Sequence, residues 1–135
     1  MKRLIFSLIV LSAIIFTLVR CKLEGSNYSK TLVTLNLTSW NLPDQAVVSV
    51  PFNIRLYSCT ENTCYGDIYF KITTDSGKKY VYAQSFFENT GEECPLYTVC
   101  NDSTVSVTIT QAGKYYYYFA YNDIWNKDSI EVVNP

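Results

Sequence analysis

The sequence contains no histidine among its 135 residues. Without an imidazole, it cannot assemble the Ser-His-Asp or Cys-His groups that many hydrolases use to activate a nucleophile. Two carboxylate pairs remain, Glu92 with Glu93 and Asp123 with Asp128, but a domain of this size lacks the deep cleft usual for glycoside hydrolysis. We interpret these pairs as solvated loop charges. The sequence therefore predicts a protein that is not an enzyme and carries no cofactor.

Glycine and proline are also scarce, with five and four residues, which excludes a disordered or linker-rich chain. Basic residues are outnumbered once residues 1–21 are set aside, because eight lysines and arginines then face twelve acidic residues, a net charge of −4. We therefore expect no nucleic-acid partner. Aromatic residues are abundant instead, with twelve tyrosines and seven phenylalanines, and such residues favour β-strands.

The longest apolar run extends from Leu4 to Val19 and follows the basic residues Lys2 and Arg3. A basic head before an apolar core is typical of a secretory signal. We therefore divide the chain into a leader or lipoprotein signal at residues 1–21, a short linker at 22–30 and one domain at 31–135. The domain is expected to be secreted or held at the cell surface.

Three fates of the leader stay open. A signal peptidase cleaves before Lys22, Cys21 is acylated as in a bacterial lipoprotein, or the segment stays as an uncleaved anchor. Arg20 argues against acylation, because Gly, Ala or Ser normally precedes a lipidated cysteine. Contact with a membrane is expected only through this leader or through a lipid on Cys21.

Four cysteines remain beyond the leader, Cys59, Cys64, Cys94 and Cys100. An even number in an oxidising compartment predicts two disulfides, for which three connectivities exist. The short spacings favour the local bridges Cys59–Cys64 and Cys94–Cys100. Zinc is the rival interpretation, but the chain has no histidine and the spacings are wider than in paired-thiolate sites. No metal site is predicted.

Several polar residues can be interpreted either as structural residues or as functional ones. Sequons begin at Asn27, Asn36 and Asn101, and would mark surface positions if the host glycosylates proteins. A group near the C-terminus offers oxygen ligands that suit calcium, but it lacks a regular ligand spacing. We interpret its members as turn formers: Asn122, Asp123, Asn126 and Asp128.

Apolar residues alternate with polar ones in several segments, the longest being 48–56, and this period of two is typical of half-buried strands. A turn at Asp75-Ser76-Gly77 makes a hairpin of two of them. The predicted strands centre on 33–37, 48–56, 68–72, 79–87, 105–109, 115–121 and 130–133. About seven antiparallel strands predict an all-β, immunoglobulin-like sandwich of two sheets.

Chain direction reverses at each connection of such a sandwich, which assigns the loops to its two ends. The loops Cys59–Cys64, Cys94–Cys100 and Asn122–Asp128 should share one pole, and the last of these would present Trp125. Trp40 falls in a turn at the other pole. Because both cysteine loops would then meet, a disulfide between them also stays open.

Gln111-Ala112-Gly113-Lys114-Tyr115 resembles the turn that enters strand F of immunoglobulin-like domains, where a tyrosine corner forms. The resemblance implies that Tyr115 takes that role. Two departures are that Tyr117 stands where antibody domains have a core cysteine, and that the third strand lacks the core tryptophan. The resemblance supports the fold and implies no immune function.

Gly113 to Asp128 also resembles the G-x-x-x-Y-K-F-x-V-D-G-x-W-x-x-D stretch of glycogen- and starch-binding modules of the AMP-kinase β-subunit and isoamylase type. With weaker similarity upstream, the resemblance covers residues 67–128. It implies that Trp125 is a platform for sugar rings. Departures include Tyr118 in place of a lysine, no tryptophan after Asn89, and the cysteines. The matching positions are Gly113, Tyr117, Phe119, Trp125 and Asp128.

Tyrosines are predicted to line one outer surface. If Tyr115, Tyr117 and Phe119 face the core, Tyr116 and Tyr118 face outward, beside Tyr69 on the neighbouring strand. Such a stripe can bind sugar rings or a protein partner, although tyrosine also simply suits an exposed strand.

The sequence thus predicts a binding domain without catalytic activity, whose partner is an extracellular glycan or a surface protein. Carbohydrate binding through Trp125, Tyr69, Tyr116 and Tyr118 is the first hypothesis. A structural or adhesive role at the cell envelope is the second. Lipid binding, as in cysteine-looped sandwiches of the ML type, is a third and weaker hypothesis, because the later cysteine pair of those proteins is absent.

Overall fold

A computed structural model describes residues 28–135, so the leader, Cys21 and Asn27 lie outside the described residues. No helix in this part of the chain is long and apolar enough to cross a membrane. The regular structure of residues 28–135 is entirely β-strand, which confirms that the domain is all-β. The strands are β1 (Ser29–Leu35), β2 (Ser39–Asn41), β3 (Gln45–Val47), β4 (Phe52–Thr60), β5 (Tyr69–Asp75), β6 (Lys78–Asn89), β7 (Val99–Val107), β8 (Gly113–Tyr121) and β9 (Ile124–Val133).

These strands form two sheets. The larger has the order β1-β6-β8-β9-β3, and the smaller has the order β2-β4-β7. In the larger sheet, β5 also pairs with β6, on the edge of β6 that faces away from β1 and β8. This two-sheet architecture is β-sandwich-like and compatible with an immunoglobulin-like fold. The hydrophobic core between the sheets is formed mainly by Leu37, Ile54, Leu56, Val81, Tyr117, Phe119, Ile130 and Val132.

Alternation along the central strands explains which side chains reach this core. Successive side chains of a strand point to opposite faces, so Ile54 and Leu56 of β4 are buried while Arg55 between them is exposed. Two buried serines follow the same phase. The Ser58 hydroxyl donates to the Asn36 carbonyl at 2.7 Å and that of Ser85 reaches the Gly66 carbonyl at 3.0 Å, which ties the connecting segments to the core.

The predicted strand over 48–56 is shorter in the structure. It begins at Phe52, and a turn closed by the Val50 amide donating to the Val47 carbonyl at 3.1 Å precedes it. Ser49 has a positive φ of 64° at this turn. Here the chain leaves β3 in the larger sheet and enters β4 in the smaller one. This crossing, with the three-residue strands β2 and β3, accounts for nine strands where about seven were predicted.

The order of the strands departs from that of an immunoglobulin sandwich, in which the third strand lies beside the sixth. Here β6, the second strand of the β5–β6 hairpin, lies beside β8, with Tyr80 opposite Tyr118. The pair is parallel because β7 lies in the other sheet and the chain crosses over before it returns in β8. Together with the parallel β3–β9 pair, this corrects the expectation of an entirely antiparallel arrangement.

The tyrosine corner is present. The Tyr115 hydroxyl donates to the Gln111 carbonyl at 3.0 Å, four residues upstream, as the resemblance implied. Trp40, predicted to lie in a turn, is instead in β2 and half-buried. Its ring stacks on Phe119 with 4.7 Å between centroids, and its indole nitrogen donates to the Asp128 carboxylate at 3.1 Å. Trp40 therefore supplies a core tryptophan from a strand where the sequence pattern did not indicate one.

Candidate functional site

The tyrosines of β8 are divided between two environments. Tyr117 is fully buried, as is Phe119 two residues later, whereas Tyr116 is 41% exposed on the outer face of the larger sheet. Tyr118 lies on the same outer face and is half-buried. The alternation predicted from the sequence is therefore present, and it places two tyrosine rings on a regular, solvent-facing sheet surface.

Four aromatic side chains meet on this outer face. The rings of Tyr80 and Tyr118 are stacked with 5.4 Å between centroids. The Trp125 ring meets Tyr80 edge-on at 5.0 Å and Tyr82 edge-on at 6.3 Å. Edge-on and offset contacts are the favoured geometries of aromatic pairs. We call Tyr80, Tyr82, Tyr118 and Trp125 the aromatic platform.

The platform depends on a small residue beneath the indole. Trp125 lies on β9 opposite Ala120 of β8, while Tyr80 and Tyr82 lie one strand further, on β6. Two strand spacings are about 9–10 Å, so the indole reaches the β6 tyrosines only by lying across β8. The methyl group of Ala120 leaves room for this, and Ala120 is itself buried.

Trp125 is not in a loop at the pole, which corrects the prediction. The β8–β9 connection is a two-residue turn, Asn122-Asp123, with φ of 51° and 60°. Two consecutive left-handed residues suit the right-handed twist of a hairpin, and Asn and Asp tolerate them better than most residues. β9 therefore begins at Ile124, and Trp125, 48% exposed, lies on the sheet.

Tyr69 is not beside Tyr118, which also corrects the prediction. Tyr69 is exposed on β5 opposite Gln84, and β6 lies between β5 and β8. Tyr80 and Tyr82 occupy the place expected for Tyr69. The same alternation rule applied to 79–87 would have found both, because they alternate there with the buried Val81 and Ala83.

Lysines surround the platform. The Lys127 ammonium lies 3.8 Å from the centroid of the Tyr116 ring, and that of Lys114 lies 5.9 Å from the same ring. On the other side, the Lys78 ammonium lies 5.7 Å from the Tyr118 centroid. An ammonium over a tyrosine face is attracted by the ring quadrupole. The outer face therefore combines flat aromatic rings with positive charge.

The two disulfides are Cys59–Cys100 and Cys64–Cys94. The four cysteines are paired as predicted, but the connectivity is not the favoured local one. Cys59 of β4 lies directly opposite Cys100 of β7, so the pairing of these strands brings the two residues together. Cys64 and Cys94 then join loop 61–68 to loop 90–98, as expected if both loops share one pole.

We call these two loops, with their disulfides, the disulfide pole. Leu96 is 90% exposed at the tip of loop 90–98, and the Thr63 amide donates to the Pro95 carbonyl at 3.1 Å beside it. The exposed side chains of this pole include four acidic residues: Glu61, Asp67, Glu92 and Glu93. The pole is thus acidic and covalently braced, unlike the lysine-rich outer face.

A cleft of about 550 Å³ opens between the disulfide pole and the start of the Asn122-Asp123 turn, lined in part by Tyr65 and Tyr121. At this turn, the Asn36 amide nitrogen donates to the Asp123 carboxylate at 2.8 Å, and the Asp123 backbone amide donates to the Asn36 side-chain carbonyl. This reciprocal pair holds β1 to the turn.

The residues considered for calcium do not converge. Asp123 accepts from Asn36, Asp128 accepts from Trp40 and from the Ser129 amide, and Asn126 donates to the Tyr121 carbonyl. Residues 28–135 contain no cluster of three or more His, Cys, Asp or Glu that would hold a metal. Asn122 and Asp123 form the β8–β9 turn, as predicted, whereas Asn126 and Asp128 were wrongly interpreted as turn formers, because both lie within β9.

Two of the three sequons lie in the described part of the chain. Asn36 is exposed but engaged with Asp123, and Asn101 is half-buried, with its amide donating to the Ile68 carbonyl at 2.7 Å. A glycan on either asparagine would have to accommodate these contacts. Glycosylation stays a prediction at all three positions.

Comparison with protein-family models, with curated proteins and with solved structures finds no match for this chain. The resemblance to starch-binding modules therefore stands on the residues alone. Of its five matching positions, Tyr117 and Phe119 are core residues, Gly113 begins β8, and Asp128 accepts the Trp40 hydrogen bond. Only Trp125 lies on the surface with its ring exposed.

Proposed function

We propose that this chain is a secreted or surface-held domain without catalytic activity that binds carbohydrate on the aromatic platform. The observation that supports this most is the group of Tyr80, Tyr82, Tyr118 and Trp125 on one sheet face, with Trp125 48% exposed. Aromatic side chains with a polar edge offer both an apolar surface for the sugar ring and hydrogen bonds for its hydroxyls.

The shape of the face suits an extended ligand better than a small molecule. The platform crosses three neighbouring strands, β6, β8 and β9, and its rings hold one another through contacts between 5.0 and 6.3 Å. A surface that is ordered before binding loses little side-chain entropy when a chain of sugars lies on it. A polysaccharide is therefore the ligand class we propose.

An extracellular setting fits the same proposal. Two disulfides in residues 28–135 are consistent with an oxidising compartment. Glycans of the cell surface or of the surrounding matrix are available there, and the predicted leader at residues 1–21 would deliver the domain to them.

A pull-down on polysaccharides tests this function. The unaltered protein and Tyr97→Ala should be retained equally, because Tyr97 is an exposed aromatic residue of the disulfide pole, 67% accessible. Trp125→Ala should weaken retention about tenfold, the typical cost of removing one aromatic anchor of a binding surface. Near-ultraviolet circular dichroism of the stacked Trp40 confirms that each variant is folded.

Two results would contradict the proposal. One is equal retention of the unaltered protein and Trp125→Ala on every glycan that binds. The other is the absence of glycan binding together with self-association that Trp125→Ala abolishes, which would support the adhesive role instead.

A further inference from the structure

The basic side chains of this domain fall into two groups, those that form an ion pair and those that do not. The described residues contain seven basic and eleven acidic side chains. Lys30 forms an ion pair with Glu88, and Arg55 with Asp102. None of the other basic residues forms an ion pair with any residue in 28–135. They all lie on β5, β6, β8 and β9: Lys71, Lys78, Lys79, Lys114 and Lys127.

Four of these lysines share the outer face with the aromatic platform. Lys71 is opposite Tyr82 and Lys127 is opposite Tyr118 in the strand register, so they project from the same side as those rings. Lys78 precedes Tyr80 by two residues on β6, and Lys114 precedes Tyr116 by two on β8. Lys79, in the opposite phase, lies over the ring of the buried Tyr117 instead.

The four lysines flank the platform on both sides. Lys71 and Lys78 lie on the β5–β6 side, and Lys114 and Lys127 lie on the β8–β9 side. All four side chains are exposed. The tyrosine faces beneath Lys78 and Lys127 attract the ammonium groups without neutralising them, so each charge stays available to an anion.

Two acidic residues share this face with the lysines, but neither is within ion-pair distance of them. These are Asp75 and Glu131, which lie opposite Lys78 and Lys114 in the register. The other exposed acidic residues include the group at the disulfide pole. A domain with more acidic than basic residues thus concentrates its unpaired cations around its aromatic rings, which indicates charge complementarity to a ligand.

We infer that the platform binds an acidic polysaccharide, whose carboxylate or sulfate groups contact Lys71, Lys78, Lys114 and Lys127 while its sugar rings lie on Tyr80, Tyr82, Tyr118 and Trp125. This inference rests on the proposed function and specifies its ligand class. A repeating polyanion matches cations on both sides of a face better than a single charged group does.

Matched glycans separate charge from sugar recognition. Binding is measured by affinity electrophoresis with polygalacturonate and its methyl ester, and with dextran sulfate and dextran. Within each pair the polysaccharide backbone is the same, and the members differ in the methyl or sulfate esters that set the charge. We expect the charged member to bind at least tenfold more tightly, and binding to weaken as salt is raised from low to high concentration, because exposed ion pairs are screened.

Two variants with the same change in net charge locate the effect. Lys114→Gln with Lys127→Gln should weaken binding to the charged glycan roughly three- to tenfold, as expected for two exposed ion pairs. Lys30→Gln with Arg55→Gln removes the two paired cations and should leave binding unchanged. Both variants should remain folded, because surface charges contribute little to stability.

Each outcome decides between the two proposals. Equal binding of charged and neutral glycans, lost in Trp125→Ala, would overturn the acidic ligand and leave the proposed function standing. No binding of any glycan would overturn both. Tighter binding to vesicles of anionic lipid or to single-stranded poly-dT than to any glycan would also overturn the acidic-polysaccharide assignment. Equal weakening in the two double variants would show that net charge, and not this face, carries the effect.

Discussion

The outer face of the larger sheet and the disulfide pole are ordered by different means. On the face, Tyr80 and Tyr118 are neighbours through strand register, and Trp125 joins them across the small Ala120. At the pole, loops without regular structure are joined by Cys64–Cys94 beside a second disulfide. Strand register orders the side chains of the face without covalent bonds, whereas disulfides brace the loops of the pole.

Charge separates the two regions as well. The face carries lysines without ion pairs among the described residues, and the pole carries exposed acidic side chains. Long-range attraction would steer a polyanion toward the face and away from the pole. We therefore expect changes at the face to alter binding and changes at the pole to alter stability, and the predictions below test that division.

The largest effect is expected from a core residue of β8, the strand that carries Tyr118 of the platform. Phe119 is fully buried in β8 and stacks on Trp40 at 4.7 Å. Phe119→Ala should lower the free energy of unfolding by about 4 kcal/mol, because it removes a core ring and leaves a cavity. Denaturant titration measures it, with Tyr116→Ala as the exposed control. A loss below about 1 kcal/mol would contradict the assignment of Phe119 to the core.

Removing the bridge between the loops should separate stability from binding. Replacing Cys64 and Cys94 with serine opens a loop of 30 residues, which the chain-entropy model values at about 3–4 kcal/mol. The platform lies on regular strands, so affinity for a bound glycan should stay within about twofold below the new melting temperature. A large loss of affinity in the folded variant would show that the pole takes part in binding.

The platform can also be disturbed without removing any of its rings. Ala120→Leu puts a larger side chain beneath the Trp125 indole, which lies across Ala120 to reach Tyr80. We expect a stability loss of about 1–2 kcal/mol from overpacking and a loss of glycan affinity of at least threefold. Ala112→Leu, at an exposed position in the turn before β8, is the control. Unchanged affinity in Ala120→Leu would contradict the packed arrangement of the platform.

Tyr117, in the core, makes the stability of the fold depend on pH at the alkaline end. Burial raises the pKa of Tyr117 to about 12, and its hydroxyl has no hydrogen-bond partner among the described residues. Because the folded pKa exceeds the unfolded value near 10, titration of Tyr117 leaves the stability of the fold unchanged below pH 10 and lowers it as pH rises toward 12. Tyr117→Phe removes the unpaired hydroxyl and should stabilise the fold by about 1 kcal/mol.

Denaturation of Tyr117→Phe at neutral pH and again between pH 10 and 12 measures both effects. Tyr115→Phe is a control for which the opposite sign is expected. The Tyr115 hydroxyl donates a hydrogen bond to the Gln111 carbonyl, so its loss should destabilise the fold by about 1 kcal/mol. If Tyr117→Phe destabilises to a similar extent, its hydroxyl is not an unpaired buried group.

The smallest effect concerns the acid side of the pH range. The hydrogen bond and charge of Arg55 lower the pKa of Asp102. A lowered folded pKa contributes stability above the ordinary carboxyl value of about 4, and this stability is lost as pH falls through the folded value. Arg55→Gln should flatten that dependence slightly. If Arg55→Gln shows the same loss of stability with falling pH as the unaltered protein, this exposed pair contributes nothing measurable to stability.

Local patterns predicted the elements that depend on neighbouring residues. The alternation of β8, the turn at Asp75-Ser76-Gly77 and the tyrosine corner at Tyr115 are all present. Each depends on contacts within a few residues, so the sequence alone carries enough information. The outward placement of Tyr116 and Tyr118 follows from the same local rule.

The features that depend on distant strands were not predictable in the same way. Whether β5 or β6 lies beside β8 decides between Tyr69 and Tyr80 as the neighbour of Tyr118, and no local pattern reports it. The disulfide connectivity also depends on distant strands, because the β4–β7 register places Cys59 opposite Cys100. The sequence predicts a loop over Asn122–Asp128, but Asn126 to Asp128 belong to β9, where the Asp128 carboxylate accepts a hydrogen bond from the distant Trp40.

The two tryptophans allow a direct test of which region binds. In a proton–nitrogen correlation spectrum of the labelled protein, Trp125 reports on the platform and Trp40 on the core. On titration with polygalacturonate, we expect the Trp125 indole signal and the backbone signals of 78–82 and 114–118 to shift, while Trp40 and the loops 61–68 and 90–98 stay unchanged. Shifts confined to the disulfide pole, with a stationary Trp125 signal, would contradict the proposal that the aromatic platform is the binding site.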